Sequence, residues 1–309
     1  VDLVNTLCSK KEMFFLARKM GIPSPDCLFP ESRAEVLEYT QRAAFPVMLK
    51  GIDGIRLERF AGKRMFLVGS AHELLEKYDA LPVSERHNLM LQEYIPGGTE
   101  TCWMFNGYFN ERSDCLAGFT GQKIRQFPVY TGATCLGICT RNDDVAALTR
   151  RFMKAVGYRG ILDIGYKLDS RDGQYKVYDV NPRIGATFRL FVARNGMDVA
   201  RALYLDLTGQ AVEADEAPEG RKWIVEDQDS VSSFRYWRDG KLKCAEWAKS
   251  FRGIREGGCW ALDDPLPALG TILLDIGKAF EAKPAKPVVA AESAPPAKRV
   301  TEAALARGE

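Results

Sequence analysis

The segment "YDVNPRIGATFR", residues 178–189, ends an apolar strand pattern with three polar groups of different chemistry. Asp179 supplies a carboxylate, Asn181 an amide and Arg183 a guanidinium. Carboxylate and amide oxygens are ligands that Mg²⁺ accepts, and a guanidinium binds phosphate oxygens. The combination therefore indicates a metal and phosphate site at the end of a strand.

A hairpin is predicted at this point of the chain, from "GILDIGYKL", the turn "DSRDG" and "QYKVYDV". With residues 169–173 as its tip, Leu168 pairs with Gln174, and Asp163 lies opposite Asp179. Opposed Cβ atoms are about 5 Å apart, so two carboxylates there repel each other unless a cation lies between them.

A divalent cation would remove this repulsion. Because side chains alternate along a strand, Asn181 lies on the same face as Asp179. The hairpin thus predicts Mg²⁺, or Mn²⁺ in its place, bound by Asp163, Asp179 and Asn181. The alternative is that both aspartates are solvated on an exposed sheet face and that the Asn-Pro pair only begins a turn.

Two lysines and two glutamates complete the candidate nucleotide site. Lys10 begins a helix predicted over about 10–20, and Lys50 ends the strand "FPVMLKG" before a glycine-bearing loop, 51–62. The alternative for each lysine is a solvated surface charge. In "QEYIPGGTE", Glu93 and Glu100 flank a glycine turn, where a carboxylate could bind a ribose and the strand backbone an adenine edge. The chain has no P-loop or GxGxxG motif, which argues against the folds that carry them.

Composition excludes several classes of protein. The chain has 309 residues, and 43 basic and 41 acidic side chains give a net charge of +2, without the basic stripe of a nucleic-acid-binding protein. Eight cysteines without a CxxC favour reduced thiols in a cytoplasmic protein. No apolar run is long enough for a membrane span. Only two histidines occur, His72 and His87, both in polar surroundings, so histidine-based catalysis is not expected.

Composition also predicts the domain organisation. We expect a Trp-rich appendage over residues 221–275 and a disordered tail over residues 281–309 that lacks a core-forming pattern. The tryptophans of the appendage could serve a homo-oligomer interface, but a small core is the favoured interpretation. Because the chain begins with Val1, in what looks like the middle of a polypeptide, an N-terminal piece is expected to precede it.

The order of these elements resembles the ATP-grasp superfamily. The segments "SKKEMFFLARKMGIPSP", "FPVMLKG", "LQEYIPGGTE" and "ILDIGYKLDSRDGQYKVYDVNPR" follow one another as in that family, over about residues 3–210. The closing D-x-N-P-R is the most specific part. Within the superfamily, the chain looks closest to carboxylate-amine ligases of the carbamoyl-phosphate-synthase-like branch whose substrates are unassigned. The resemblance implies an α+β fold in which two α+β lobes with antiparallel sheets, an N-terminal lobe over 1–90 and a C-terminal lobe over 91–210, grip a nucleotide, with a C-terminal appendage. It also implies a further N-terminal lobe of the same polypeptide ahead of these residues.

The resemblance also implies roles for individual residues. Lys10 and Lys50 would contact ATP phosphates, Gln92, Glu93, Tyr94 and Ile95 would lie at the adenine, and Glu100 would bind the ribose. Asp179 and Asn181 match metal ligands, and Arg183 matches an arginine that contacts phosphate and the developing charge. Lys63 is a candidate in the phosphate-covering loop, and Lys123 and Arg125 are candidates for acyl-phosphate or substrate contacts.

One position departs from the family pattern. The family's first metal-binding acid or amide falls at Gly165, and we expect Asp163 to substitute for it. The implied reaction is ATP-dependent joining of a small-molecule carboxylate to an amine through an acyl phosphate. Two alternatives remain, namely a regulatory or degenerate module that binds Mg-ATP without ligase activity, and an interaction protein whose tail recruits a partner.

Overall fold

The computed structural model describes residues 2–213, 215–260, 263–271 and 273. Its α-helices are Asp2–Cys8 (α1), Lys10–Lys19 (α2), Arg33–Arg42 (α3), Gly54–Ala61 (α4), Ala71–Asp79 (α5), Val83–Arg86 (α6), Asp143–Val156 (α7), Val199–Leu207 (α8), Glu226–Arg238 (α9) and Cys244–Ser250 (α10). Its strands are Cys27–Leu28 (β1), Val47–Gly51 (β2), Met65–Val68 (β3), Leu89–Glu93 (β4), Cys102–Phe109 (β5), Cys115–Phe127 (β6), Ala133–Cys139 (β7), Gly160–Asp169 (β8), Gln174–Asn181 (β9), Lys222–Ile224 (β10) and Ile254–Gly257 (β11). Among these residues, no helix is both long enough and apolar enough to cross a bilayer.

The N-terminal region contains a four-stranded antiparallel sheet with the order β1-β4-β2-β3. Its buried side chains, among them Val47, Leu49 and Leu91, pack with Val36 of α3 and Leu74 of α5. Helix α2 confirms the helix expected over about 10–20, and the hydroxyl of its N-cap serine accepts a hydrogen bond from the third helical residue. The sheet and its helices hold the end of β2, and therefore Lys50, in place.

The expectation of a glycine-bearing loop over 51–62 is wrong for most of that segment. Helix α4 occupies Gly54–Ala61. Asp53 caps this helix, because its carboxylate accepts from the backbone N–H of Ile55 at 2.9 Å and of Arg56 at 3.1 Å. The helix ends at Gly62, which has φ +69°. Asp53 and Gly62 are thus the N-cap and C-cap residues of this helix, and Leu57 on its apolar side is buried.

The second sheet has seven strands in the order β11-β10-β7-β6-β5-β8-β9. All neighbours are antiparallel except β10 and β11, which are parallel. One face packs against α2 and α7 in a core that includes Phe105, Phe152 and Ile164. The other face carries Met104 and Phe119, which pack with the segment between β9 and α8. The predicted α+β class is confirmed.

Strands β10 and β11 come from the Trp-rich segment and extend the same sheet. Helix α9 also packs on this sheet, over β6 and β7. The residues expected to form a disordered tail, 281–309, lie outside the described residues.

The predicted register of the β8–β9 hairpin is wrong. Asp163 lies opposite Asn181, and Gly165 lies opposite Asp179. Asp169 remains in strand β8, opposite Gln174, so the tip has one residue fewer than expected. A bulge at Tyr178 adds a second shift of one residue. The two shifts together move the pairing by two positions, so Asp163 and Asp179 are still on one face but are diagonal neighbours.

A buried ion cluster holds the hairpin tip. The carboxylate of Asp169 is fully buried and accepts hydrogen bonds from Arg171 Nε at 2.8 Å and from Lys176 Nζ at 2.6 Å. The Arg171 guanidinium, and then Lys176, hold the pKa of Asp169 well below its usual range in spite of burial. This cluster explains why Asp169 stays in the strand instead of turning outward at the tip.

We expect Asp169→Asn to destabilise the protein by about 3 kcal/mol at pH 7, since it removes a fully buried carboxylate that pairs with the mostly buried Lys176 and with the more exposed Arg171. The folded-state pKa of Asp169 is lowered, so its stabilising contribution is present above the unfolded-state pKa and is lost as the pH falls. Urea unfolding should therefore show a difference between wild type and variant that shrinks by about 1 kcal/mol between pH 7 and pH 3.

Asp172→Asn is the matched control at the same tip, because Asp172 is more exposed and its ion pair with Lys176 is partly solvated. It should change the free energy of unfolding by less than about 1 kcal/mol. Equal losses in the two variants, or a loss from Asp169→Asn that is the same at both pH values, would contradict this account of the hairpin.

Candidate nucleotide and metal site

Charged side chains from both sheets converge on one face of the β8–β9 hairpin. The negative charge of Asp179 acts on the pKa of each of three lysines, and a fourth lysine lies next to two of them. These are Lys10 at the start of α2, Lys50 at the end of β2, Lys123 on β6 and Lys167 on β8. Each of the four is partly buried. The structure therefore brings amines from the two halves of the chain to the predicted acid pair.

Asp163 is the more buried of the two acids. Burial, and then the charge of Asp179, raise its pKa to about 6. Its carboxylate accepts a hydrogen bond from Asn106 Nδ2 at 3.0 Å. Gly185, in the segment after β9, approaches this carboxylate so closely that no Cβ would fit there. Asp163 is thus enclosed by β5 on one side and by the 185 segment on the other.

Asp179, Asn181 and Arg183 form a chain of contacts at the end of β9. Asn181 Nδ2 donates to Asp179 Oδ2 at 2.8 Å, and Arg183 Nη2 donates to Asn181 Oδ1 at 3.2 Å. Asp179 and Arg183 are exposed. The three groups predicted from the sequence are therefore in contact, with two oxygen donors and a guanidinium that solvent can reach.

The structure shows why position 165 carries a glycine. A Cβ at Gly165 would lie 2.9 Å from both Cζ and Oη of Tyr178. Tyr178 is the bulge residue of β9, and its ring takes the space that a side chain at 165 would need. Asp163, two residues earlier on the same strand, is the carboxylate that β8 presents on this face.

Burial affects the amines of three lysines, and two of these amines also donate hydrogen bonds to backbone carbonyl oxygens. Lys10 Nζ donates to the carbonyl oxygens of Gly51 and Ile52, each at 3.1 Å, and Lys123 Nζ donates to that of Gly132 at 3.1 Å. Burial lowers the pKa of both. Burial also lowers the pKa of Lys50, to about 8. Burial disfavours the charged form of these amines. An anionic ligand beside them would favour the charged form and so raise their pKa values.

Lys167 is a site residue that the sequence analysis missed. Its Nζ donates to the carbonyl of Gly97 at 2.9 Å and lies 5.2 Å from the centre of the Tyr94 ring. The signal was present, since Asp163, Gly165 and Lys167 follow the two-residue period of one strand face. Lys167 therefore connects the hairpin to the segment predicted at the adenine.

The residues predicted at the adenine and ribose lie together but have different surroundings. Gln92 and Ile95 are buried. Glu93 is not free, because its carboxylate accepts from Arg171 Nη2 at 2.5 Å and from the backbone N–H of Asp26 at 3.1 Å. Glu100 is exposed and accepts from the backbone N–H of Gly98 at 2.8 Å. Of the two glutamates, Glu100 is the one that a ligand could reach.

Two predicted residues are not in the cluster. Lys63 is exposed, just beyond α4, and its Nζ lies 6.0 Å from the centre of the Phe66 ring. Arg125 is buried and forms a bidentate ion pair with Asp229 of α9, at 2.6 and 2.8 Å. A bulge in β6 puts Lys123 opposite Gly137 and Arg125 opposite the adjacent residue, so the two side chains face opposite sides.

The donor set fits a hard divalent cation with phosphate oxygens. Asp163, Asp179 and Asn181 offer oxygen ligands, as Mg²⁺ requires. Asn106 Oδ1 is buried beside Asp163 and has no hydrogen-bond partner among the described residues, so a cation or water would satisfy it. The same residues contain no cluster of three or more His, Cys, Asp or Glu side chains that could hold a metal alone. Amide oxygens, waters and phosphates would therefore have to complete the coordination.

No family model matches the chain, but individual known proteins are similar to it. The chain is 24% identical to D-aspartate ligase of Enterococcus faecium (strain Aus0004) over 213 residues, which cover 65% of this chain and 49% of that protein. It is 22% identical to the C-terminal section of the carbamoyl phosphate synthase large chain of Methanopyrus kandleri over 250 residues, 76% of this chain and 45% of that protein. The chain thus spans about half the length of these relatives.

Solved structures are also similar to this chain in fold. N5-carboxyaminoimidazole synthase from Aspergillus clavatus, in complex with ADP and its ribonucleotide, matches with a TM-score of 0.54 at 15% identity, over 71% of this chain and 56% of that chain. Biotin carboxylase from Campylobacter jejuni, in a beta-gamma-ATP complex, matches with a TM-score of 0.55 at 14% identity, over 70% of this chain and 49% of that chain.

The contact between Gly165 and Tyr178 gives a test of this geometry that does not depend on activity. Gly165→Ala should destabilise the protein by about 1–3 kcal/mol, because the new Cβ overlaps the Tyr178 ring. In a Tyr178→Ala background the same change should have little effect, which chemical denaturation of the four proteins of the double-mutant cycle would show.

Gly54→Ala is the matched control, since a Cβ at that helical position would be 3.4 Å or more from its neighbours. It should be neutral or stabilising. Additive effects of Gly165→Ala and Tyr178→Ala would show that the ring does not take the space at position 165.

Proposed function

Because the chain belongs to the ATP-grasp superfamily, we propose that it is an ATP-dependent carboxylate-amine ligase that acts through an acyl phosphate. The observation that carries this proposal is the convergence of lysines from both sheets on the acid-amide face of the β8–β9 hairpin. Phosphoryl transfer requires mainly positioning and charge neutralisation, and these residues supply both.

The binding roles follow from the positions of the side chains. Asp163, Asp179 and Asn181 would hold Mg²⁺, or Mn²⁺ in its place. The bound cation would neutralise phosphate oxygens and hold them for in-line transfer. Lys10 and Lys50 would bind phosphate oxygens from the N-terminal side.

The nucleoside would lie against the segment that follows β4. The backbone at Glu93, Tyr94 and Ile95 would pair with the adenine edge, and the exposed carboxylate of Glu100 would accept hydrogen bonds from the ribose. Lys167 contacts this segment at Gly97, and it lies close enough to Lys50 and Lys123 for their charges to interact. We therefore add Lys167 to the proposed nucleotide-binding residues.

The proposed reaction has two steps. A carboxylate oxygen of the substrate attacks the γ-phosphorus of ATP, the bond from that phosphorus to the β–γ bridging oxygen breaks, and ADP leaves. The nitrogen of an amine then attacks the acyl carbon, phosphate leaves with the carbon–oxygen bond electrons, and the nitrogen loses a proton to give an amide. Arg183 and Lys123 would stabilise the charge on the transferring phosphoryl group and the acyl phosphate.

Arg125 has no place in this mechanism, because its guanidinium is used by the ion pair with Asp229. Lys63 is also outside the proposed binding residues, since it lies in the exposed turn after α4. The carboxylate and the amine are small molecules whose identity must come from a substrate screen.

The first test is calorimetric titration of the chain with a non-hydrolysable ATP analogue, with and without Mg²⁺. Binding should depend on Mg²⁺, and Asp179→Ala and Lys50→Ala should each weaken it at least tenfold, a loss of about 1.4 kcal/mol or more. Asp144→Ala, an exposed acid on α7, is the control and should leave binding unchanged.

An ADP-release screen over pools of carboxylates and amines then separates the possible functions. ADP release that requires both pools supports the ligase. Mg-ATP binding without ADP release from any pool would replace the proposal by a nucleotide-binding module. Absence of Mg²⁺-dependent binding in the wild-type protein would contradict the site itself.

A further inference from the structure

A cavity with several charged lining residues lies beside the strands of the Trp-rich segment. It has a volume of about 500 Å³, which falls within the range of small-molecule sites. Three stretches of chain line it, namely 192–194 after β9, 218–221 before β10 and 253–255 at the start of β11. None of its lining residues belongs to the proposed ATP or metal site.

Arginines dominate the charge of this cavity. Arg194, Arg221 and Arg255 line it, against a single acidic lining residue, Glu219. Arg194 and Arg255 are exposed, and neither side chain forms an ion pair or a hydrogen bond with a described residue. Guanidinium groups bind carboxylates and phosphates with paired, parallel hydrogen bonds. The cavity thus presents anion-binding groups that the protein does not use internally.

The third arginine has a donor without an acceptor. Arg221 Nη2 lies 3.1 Å from Glu256 and 3.3 Å from the carbonyl oxygen of Arg189. Its Nε is buried and has no partner among the described residues. Glu256 is also shared, because Arg189 binds the same carboxylate at 2.6 and 2.9 Å. A buried donor without an acceptor is costly, and an anion in the cavity would supply the acceptor.

Two glycines with left-handed backbone conformations line the cavity. Gly220 has φ +79° and Gly253 has φ +92°, a left-handed conformation that other residues rarely adopt. A Cβ at Gly253 would lie 2.8 Å from the carbonyl oxygen of Gly220. Because position 253 has no side chain, the backbones of the two stretches approach each other there, and the arginines of both stretches line the same cavity.

We propose that this cavity binds a small anion through a carboxylate or phosphate group held by Arg194, Arg221 and Arg255. The proposal stands apart from the ligase activity, since the cavity shares no residue with the nucleotide site. Of the three arginines, Arg194 and Arg255 are exposed to solvent and Arg221 is mostly buried.

The test uses inorganic phosphate and succinate as separate probes in calorimetric titrations at 0.15 M NaCl, because the two anions distinguish a phosphate site from a carboxylate site. At least one should bind with a dissociation constant in the millimolar range or below. The double variant Arg194→Ala/Arg255→Ala should weaken that binding at least tenfold. Both side chains are exposed and without internal partners, so the fold should tolerate their loss.

Arg252→Ala is the matched control, because Arg252 is equally exposed and immediately precedes Gly253 without lining the cavity. It should leave the dissociation constant within about twofold of the wild type. Lys50→Ala, which removes a proposed phosphate ligand of the nucleotide site, should also leave it unchanged.

Three results would overturn the proposal. The first is no heat of binding for either probe up to about 20 mM, and the second is a loss from Arg252→Ala equal to that from the double variant. The third is a loss from Lys50→Ala with full binding in the double variant, which would assign the anion to the nucleotide site.

Discussion

Partial burial of lysine amines beside a pair of carboxylates is the constraint on which the candidate site depends. Each charge alone would be costly away from water, and together Lys10, Lys50 and Lys123 partly compensate Asp163 and Asp179. The compensation is incomplete, since burial still lowers the lysine pKa values and raises that of Asp163. A cation between the acids and phosphates beside the amines would complete it. The incomplete compensation therefore favours a ligand that carries both a cation and phosphate groups.

Two local features of the β8–β9 hairpin set the geometry of the acid pair. The buried ion cluster at Asp169 keeps the hairpin tip short, and the bulge at Tyr178 shifts the pairing again before Asp179. The bulge also turns the Tyr178 ring over Gly165 and leaves Asp163 as the carboxylate that β8 contributes. A bulge beside a functional site can re-aim side chains in this way without changing the fold.

A second bulge, in β6, turns two nearby side chains of that strand to opposite sides of the sheet. Lys123 faces the acid pair, whereas Arg125 faces α9 and forms a fully buried ion pair with Asp229. Such a pair is weak evidence for stability, but breaking it would leave a buried charge uncompensated. It therefore fixes how the Trp-rich segment docks on the sheet. The residues just before β10 and at the start of β11 in turn line the arginine-lined cavity.

The sequence by itself determined the α+β class, helix α2 with its cap, the strand that ends at Lys50 and the polar group at Asp179, Asn181 and Arg183. These features depend on local patterns, namely apolar periodicity, cap residues and turn residues, that act over a few positions. Even α4 was signalled by Asp53 and Gly62, although the glycines of that segment suggested a loop. The shared face of Asp163 and Asp179 was predicted correctly from an incorrect register, because two shifts of one residue preserve the face.

Only the tertiary structure decided the register of the hairpin, the different directions of Lys123 and Arg125, and the contacts of Glu93 with Arg171. The register depends on how the two strands pair. The other two features depend on partners far away in the chain, since Asp229 lies 104 residues beyond Arg125 and Arg171 lies 78 residues beyond Glu93. The burial that shifts the pKa of Lys50 likewise exists only when both sheets are assembled. A bulge of one residue has no reliable local signature, since its free energy depends on the strand opposite, and so these features could not be derived from the sequence.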